Sequence, residues 1–82
     1  MEKPNNNVFC EITYSNTDEG FLQVFYDYGN GLSEADSTRM YIAKSLKTTS
    51  IVLPIVNWEY GAKLAAVRVD PPNGSIFVLN II

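Results

Sequence analysis

Two stretches of strict alternation near the start set the tightest limit on what this chain can fold into. Val8, Cys10, Ile12 and Tyr14 alternate with Phe9, Glu11 and Thr13. Further on, Leu22, Val24, Tyr26 and Tyr28 alternate with Phe21, Gln23, Phe25 and Asp27. A period of two belongs to a strand, whose successive side chains point to opposite faces. Ser15 to Gly20 is a turn by composition. The two strands, Val8–Tyr14 and Phe21–Tyr28, are therefore expected to pair as a hairpin with a longish loop.

Gly29-Asn30-Gly31 ends the second strand, because Gly and Asn tolerate the positive φ of a sharp turn. The period then changes. Ser33 can cap a helix, with Asp36 three residues on to complete a capping box. Ala35, Ile42, Ala43 and Leu46 fall on one side of a helical projection, opposite Ser37 and Lys44. Glu34 and Asp36 open this segment and Lys44 and Lys47 close it, which suits the helix dipole. The spacing predicts a helix that Thr48-Thr49-Ser50 stops.

Ile51 to Trp58 reads as a third strand. Pro54 inside it cannot donate to a ladder and points to an edge or a bulge. Lys63 to Val69 reads as a fourth strand, and Asp70-Pro71-Pro72-Asn73-Gly74 as a turn. Ser75 to Ile82 is apolar on both faces except at Asn80, the pattern of a strand in the middle of a sheet. The expected fold is thus α+β: a mostly antiparallel sheet of about five strands with one helix on one face, in the order strand-strand-helix-strand-strand-strand. Residues 1–7, with Pro4 and three Asn, are expected to be a flexible N-terminal segment, and 8–82 a single domain. One helix of roughly 12–14 residues is about 20 Å long and cannot cover both faces of such a sheet. Loops, a second copy or a partner must cover the rest, and a homo-oligomer is expected.

The residue inventory argues against catalysis. There is no histidine, the commonest general base at neutral pH and the commonest transition-metal ligand. Cys10 stands alone, so neither a Cys-His pair nor an intramolecular disulfide can form, and a structural zinc site lacks ligands. The glycines match no phosphate-cradling loop. The acids Asp18, Glu19, Asp27, Glu34 and Asp36 sit at turns and at the expected helix start, without the spacing of a calcium loop. No enzyme, no cofactor and no metal site is expected. A lone cysteine suits the reducing cytosol. The start carries no signal-peptide pattern, and the apolar runs are too short to span a membrane, so a cytoplasmic location is expected.

Charge says more about partners. The net charge is −3, and residues 1–36 carry seven acids (Glu2, Glu11, Asp18, Glu19, Asp27, Glu34, Asp36) against Lys3. Residues 37–82 carry Glu59 and Asp70 against Arg39, Lys44, Lys47, Lys63 and Arg68. Six dispersed cations disfavour direct binding along a nucleic-acid backbone. The acidic half could instead meet a basic partner.

Two aromatic clusters beside acids are the candidate binding residues: Tyr26-Asp27-Tyr28, and Trp58-Glu59-Tyr60 after Asn57. Tyr and Trp are enriched at binding hot spots, although the same residues also serve as core walls. The leading expectation is a small acidic non-catalytic binding protein, an inhibitor that occupies a basic functional site on a larger protein. In size and charge alone it is similar to the immunity and anti-defence proteins of phages and mobile elements. The alternative is a homo-oligomer that sequesters a small, nucleotide-like ligand on its aromatics. A third reading is a structural subunit of a larger assembly.

Overall fold

The alternating stretches at the start become the two central strands of the molecule. The computed structural model describes residues 8–59 and 61–82. The expected flexible segment 1–7 and Tyr60 lie outside the described residues. The strands are β1 (Phe9–Asn16), β2 (Gly20–Asp27), β3 (Ser37–Ile42), β4 (Ser45–Pro54), β5 (Ala66–Asp70) and β6 (Ser75–Ile81). They form two three-stranded sheets of order β4-β1-β6 and β3-β2-β5, and every pairing is antiparallel.

This corrects the expected α+β fold: among the described residues there is no α-helix, only a 3-10 turn at Glu34–Asp36. Ser33 precedes that turn in extended conformation and makes no side-chain cap bond. The Ala35 carbonyl, which a continuing helix would bond internally, accepts instead from the Asn57 side chain at 2.8 Å. Ser37 to Ile42 also carries a period of two, with Thr38, Met40 and Ile42 alternating with Ser37, Arg39 and Tyr41. Six pairs with β2, from Gly20↔Ile42 to Phe25↔Ser37, fix that register. Cross-strand pairing overrode the helical spacing, whose apolar positions leave a gap between Ala35 and Ile42.

The expected hairpin is corrected too. β1 and β2 lie in different sheets, and Thr17–Glu19 carries the chain from one to the other. Their apolar faces belong to one shared core, where Ile12, Leu22, Val24 and Tyr26 have no exposed surface and Cys10 almost none. Fully burying a side chain such as Ile12 or Leu22 is worth about 1.5–3 kcal/mol. Alternation identifies an inward face, but it is the same for strands paired in one sheet and strands stacked in two layers.

Asn16 ties the corner together. It is the buried polar residue of the core, placed where the β1–β4 register shifts. Its Oδ1 accepts from the Ser45 amide at 2.9 Å, and its Nδ2 donates to the carbonyls of Asp18 and Ala43. One side chain thereby satisfies the backbone of the β1–β2 turn and of the β3–β4 link.

Two further differences matter for function. β4 is an edge strand, as Pro54 requires, but the chain leaves the sheet there, so Asn57 and Trp58 lie in a loop. β6, expected in mid-sheet, is the other edge of the β4-β1-β6 sheet. The charge asymmetry of the sequence also dissolves. β1, from the acidic half, pairs with β4 and β6, and each sheet mixes strands from both halves. No helix among the described residues is long and apolar enough to cross a membrane.

Candidate functional site

Three of the expected binding residues, Tyr28, Trp58 and Glu59, come together at one end of the molecule, where the β2–β3 and β4–β5 connections meet. β2 stops at Asp27, whose Oδ1 accepts from the amides of Gly29 and Gly31 at 2.8 and 3.0 Å. Gly29 and Gly31 adopt φ of 108° and 83°, open to glycine without steric cost. This turn directs Tyr28 across to the β4–β5 connection, where its hydroxyl donates to the Val56 carbonyl. The Tyr28 ring lies 6.2 Å from that of Trp58, tilted by 34°. Trp58 is 4% exposed, and its indole N–H donates to the Ala62 carbonyl at 3.0 Å.

Asn57 locks the two connections together. It takes φ of 61°, a conformation Asn tolerates better than most residues. Its Nδ2 donates to the Ala35 carbonyl and to Asp36 Oδ1, at 2.8 and 3.0 Å. Between these groups lies an open cleft of about 410 Å³ lined by Tyr28, Asn30, Asp36, Asn57, Glu59 and Ala62. Burial, reinforced by the Asp36 charge, pushes the Tyr28 hydroxyl up to about 12. At neutral pH Tyr28 is therefore a neutral donor, and Asp36 and Glu59 supply the carboxylates of the described lining.

The six expected site residues have different fates. Tyr28, Trp58 and Glu59 come together at this end: Tyr28 and Glu59 line the cleft, and Trp58 supports it from the core. Asp27 is adjacent, but its carboxylate is spent on the glycine turn. Tyr26 is corrected from surface anchor to core. It has no exposed surface, and its hydroxyl donates to the Pro54 carbonyl and lies 3.4 Å from Cys10 Sγ. Burial drives that hydroxyl well above the usual tyrosine range, with the Cys10 contact adding to it. Tyr60 lies outside the described residues.

Sequence reasoning missed Asn30, Asp36 and Asn57. The capping-box spacing puts Asp36 at a helix start and the Ile51–Trp58 pattern puts Asn57 in a strand, so nothing in the sequence joins them. A second surface was missed with the helix. On the outer face of β2 and β3, Phe21 and Tyr41 meet edge to face at 5.3 Å, and the Arg39 guanidinium lies 4.2 Å over the Phe21 ring. Tyr41 is raised above the usual tyrosine range, mainly by its hydrogen bond to Glu19. Alternation across Ser37–Ile42 was the signal that could have found it.

Chemically, the cleft offers two carboxylates, two amides and a phenol, with no cation in its described lining. Among the described residues, no group of three or more His, Cys, Asp or Glu side chains could hold a metal ion. Among the described residues, the Arg68–Asp70 ion pair, at 2.9 Å, involves neither Asp36 nor Glu59. No protein-family model, no curated protein and no solved structure matches this chain.

Proposed function

We propose that this domain works by binding rather than catalysis, and that the cleft of Tyr28, Asp36, Asn57 and Glu59 receives a basic segment of a larger protein. One observation carries the reading: two carboxylates without a basic neighbour in the described lining face an open polar cleft, held by the hydrogen bonds of Asn57 and Tyr28. A Lys or Arg side chain entering it would gain charge-assisted hydrogen bonds to Asp36 and Glu59. Its aliphatic stem would lie against the Tyr28 ring. Preset hydrogen bonds reduce the ordering cost of such binding.

An inhibitor that covers a basic functional site fits this surface, and a cytoplasmic setting fits the lone, buried Cys10. A nucleotide fits less well, because its phosphates would meet two carboxylates.

An oligo-arginine peptide, titrated against the purified protein at low salt, tests the reading. Asp36→Asn and Glu59→Gln keep the lining's shape and remove its charge. Each should weaken the peptide by about fivefold, while Asp18→Asn, in the exposed β1–β2 turn at the other end of β2, should change it less than about twofold. Equal losses at all three positions would reduce the attraction to bulk charge and end the assignment of the cleft.

A further inference from the structure

The four outer strands of the two sheets are not alike. An unpaired sheet edge presents free N–H and C=O groups to any passing strand, and proteins blunt it with charge, proline, bulges or short length. β3 carries Arg39, and β5 has five residues and the Arg68–Asp70 ion pair. β4 has Lys47, ends at Pro54, and is bulged against β1. β6 has none of these devices. Its sequence, Ser75-Ile76-Phe77-Val78-Leu79-Asn80-Ile81, holds no charge and no proline, and its seven pairs with β1 run without a register shift. Its large side chains stand open: Ile76 is 76% exposed, Val78 61% and the following Ile82 58%.

The inner side tells the same story. Where β3 and β4 approach, Ile42 and Leu53 are buried, and Thr38 Oγ1 donates to the Pro54 carbonyl at 2.9 Å. Where β5 and β6 flank the core, Val67, Val69, Leu79 and Ile81 are only partly buried. No strand pairs with the outer side of β6 among the described residues.

We propose that β6 is a self-association edge, on which a second copy of this chain lays its own β6 antiparallel to form a continuous six-stranded sheet of order β4-β1-β6-β6-β1-β4. Charge selects this occupant. The basic partner proposed for the cleft finds no acid on β6, whose complement is an uncharged apolar strand, and β6 is itself such a strand. A symmetric register centred on Val78 sets Phe77 opposite Leu79 and Ile76 opposite Asn80. Inner-face residues then meet inner-face residues, and no like charges oppose. An edge of this length runs about 23 Å, and its backbone alone falls short of the roughly 1,000 Å² a stable interface needs. Ile76, Phe77, Val78 and Ile82, with the partly open flank of Val67, Val69, Leu79 and Ile81, are the apolar side chains that a second copy could cover beyond the backbone. This association is independent of the cleft.

Sedimentation of the full chain across a wide concentration range, with two pairs of variants, tests it. The wild type should reach the mass of two copies at micromolar concentration. Val78→Lys, at an exposed outer-face position, should weaken self-association at least about tenfold, while Val52→Lys on β4 should change it less than about twofold. Circular dichroism checks that each variant folds. Val78→Cys places the thiol opposite its own copy, at a cross-strand spacing of about 4.5–5.5 Å that a disulfide spans. It should cross-link on mild oxidation, and Val52→Cys should not. A single-copy mass throughout, or self-association as tight in a folded Val78→Lys as in the wild type, overturns the proposal. If Val78→Lys does not fold, failure of Val78→Cys to cross-link overturns it.

Discussion

The cleft beside Asp36 and the outer edge of β6 are both open to solvent, yet they are built from opposite chemistry. The cleft is polar and acidic, and side chains already bonded to both connecting loops shape it. The β6 edge is uncharged and apolar, and its backbone groups are what it offers. Attraction between exposed charges is screened within about 8 Å at physiological ionic strength. Burial of apolar surface is not weakened by salt in this way and is strengthened by strongly hydrated anions. The two proposed associations, one through each surface, should therefore differ in their sensitivity to salt.

The largest expected effect removes the scaffold that both regions share. Tyr26→Ala should cost about 3–5 kcal/mol in denaturant unfolding, because it empties a fully buried site and leaves the Pro54 carbonyl with one donor fewer. Both associations should then decline together with the folded fraction. A small stability loss with selective loss of peptide binding would return Tyr26 to the cleft.

Glycine substitutions should separate the regions. A Cβ at Gly74, where φ is 72°, would lie 1.9 Å from Thr17 Oγ1 at the turn leading into β6. Gly74→Ala should cost about 2–3 kcal/mol and loosen self-association. At Gly29, where φ is 108° beside the cleft, the added carbon meets open space. Gly29→Ala should cost about 1 kcal/mol and leave self-association intact. Thermal unfolding with sedimentation reads both.

A smaller effect sharpens the cleft. Tyr28→Phe removes the hydrogen bond to Val56 and should cost about 1 kcal/mol. The same residue gives a pH signature. Its hydroxyl is raised in the folded state from 10.0 to about 12, so below pH 10 both folded and unfolded chains keep the proton. As pH rises from 10 toward 12 the unfolded chain releases it first, and stability falls. Tyr26, raised in the same direction, contributes to that decline. Denaturant midpoints above pH 10 should therefore fall less steeply for Tyr28→Phe than for the wild type, though not become flat. The smallest effect belongs to Asp36→Asn and Glu59→Gln, which should shift stability by no more than about 0.5 kcal/mol.

Local pattern exposed part of this molecule in advance. The inward faces of β1 and β2 were legible because Val8 to Tyr14 and Leu22 to Tyr28 alternate without interruption. Their placement in separate sheets was not, since alternation carries no information about which strand lies alongside. Ser33 to Leu46 satisfied two periods at once, and the pairing of Ser37–Ile42 with β2, a long-range contact, decided between them. β6 misled because a strand apolar on both faces reads alike whether neighbours cover it or it waits at an edge. Tyr26 and Tyr28 share one face of the pattern, but Tyr26 lies inside β2 and Tyr28 just beyond its end. That single difference sends one to the core and the other to the cleft, and no local rule anticipates where a strand stops. Asp36 and Asn57, twenty-one residues apart, meet only because two connections close over the same end.

The contrast between the two surfaces is tested most directly by one salt series. Binding of the oligo-arginine peptide and self-association of the chain are measured together as sodium chloride is raised. An acidic cleft and an uncharged edge require peptide affinity to fall steeply while self-association holds or tightens. Peptide binding indifferent to salt, or both associations weakening in parallel, would contradict the division of this domain into a charged site and an apolar edge.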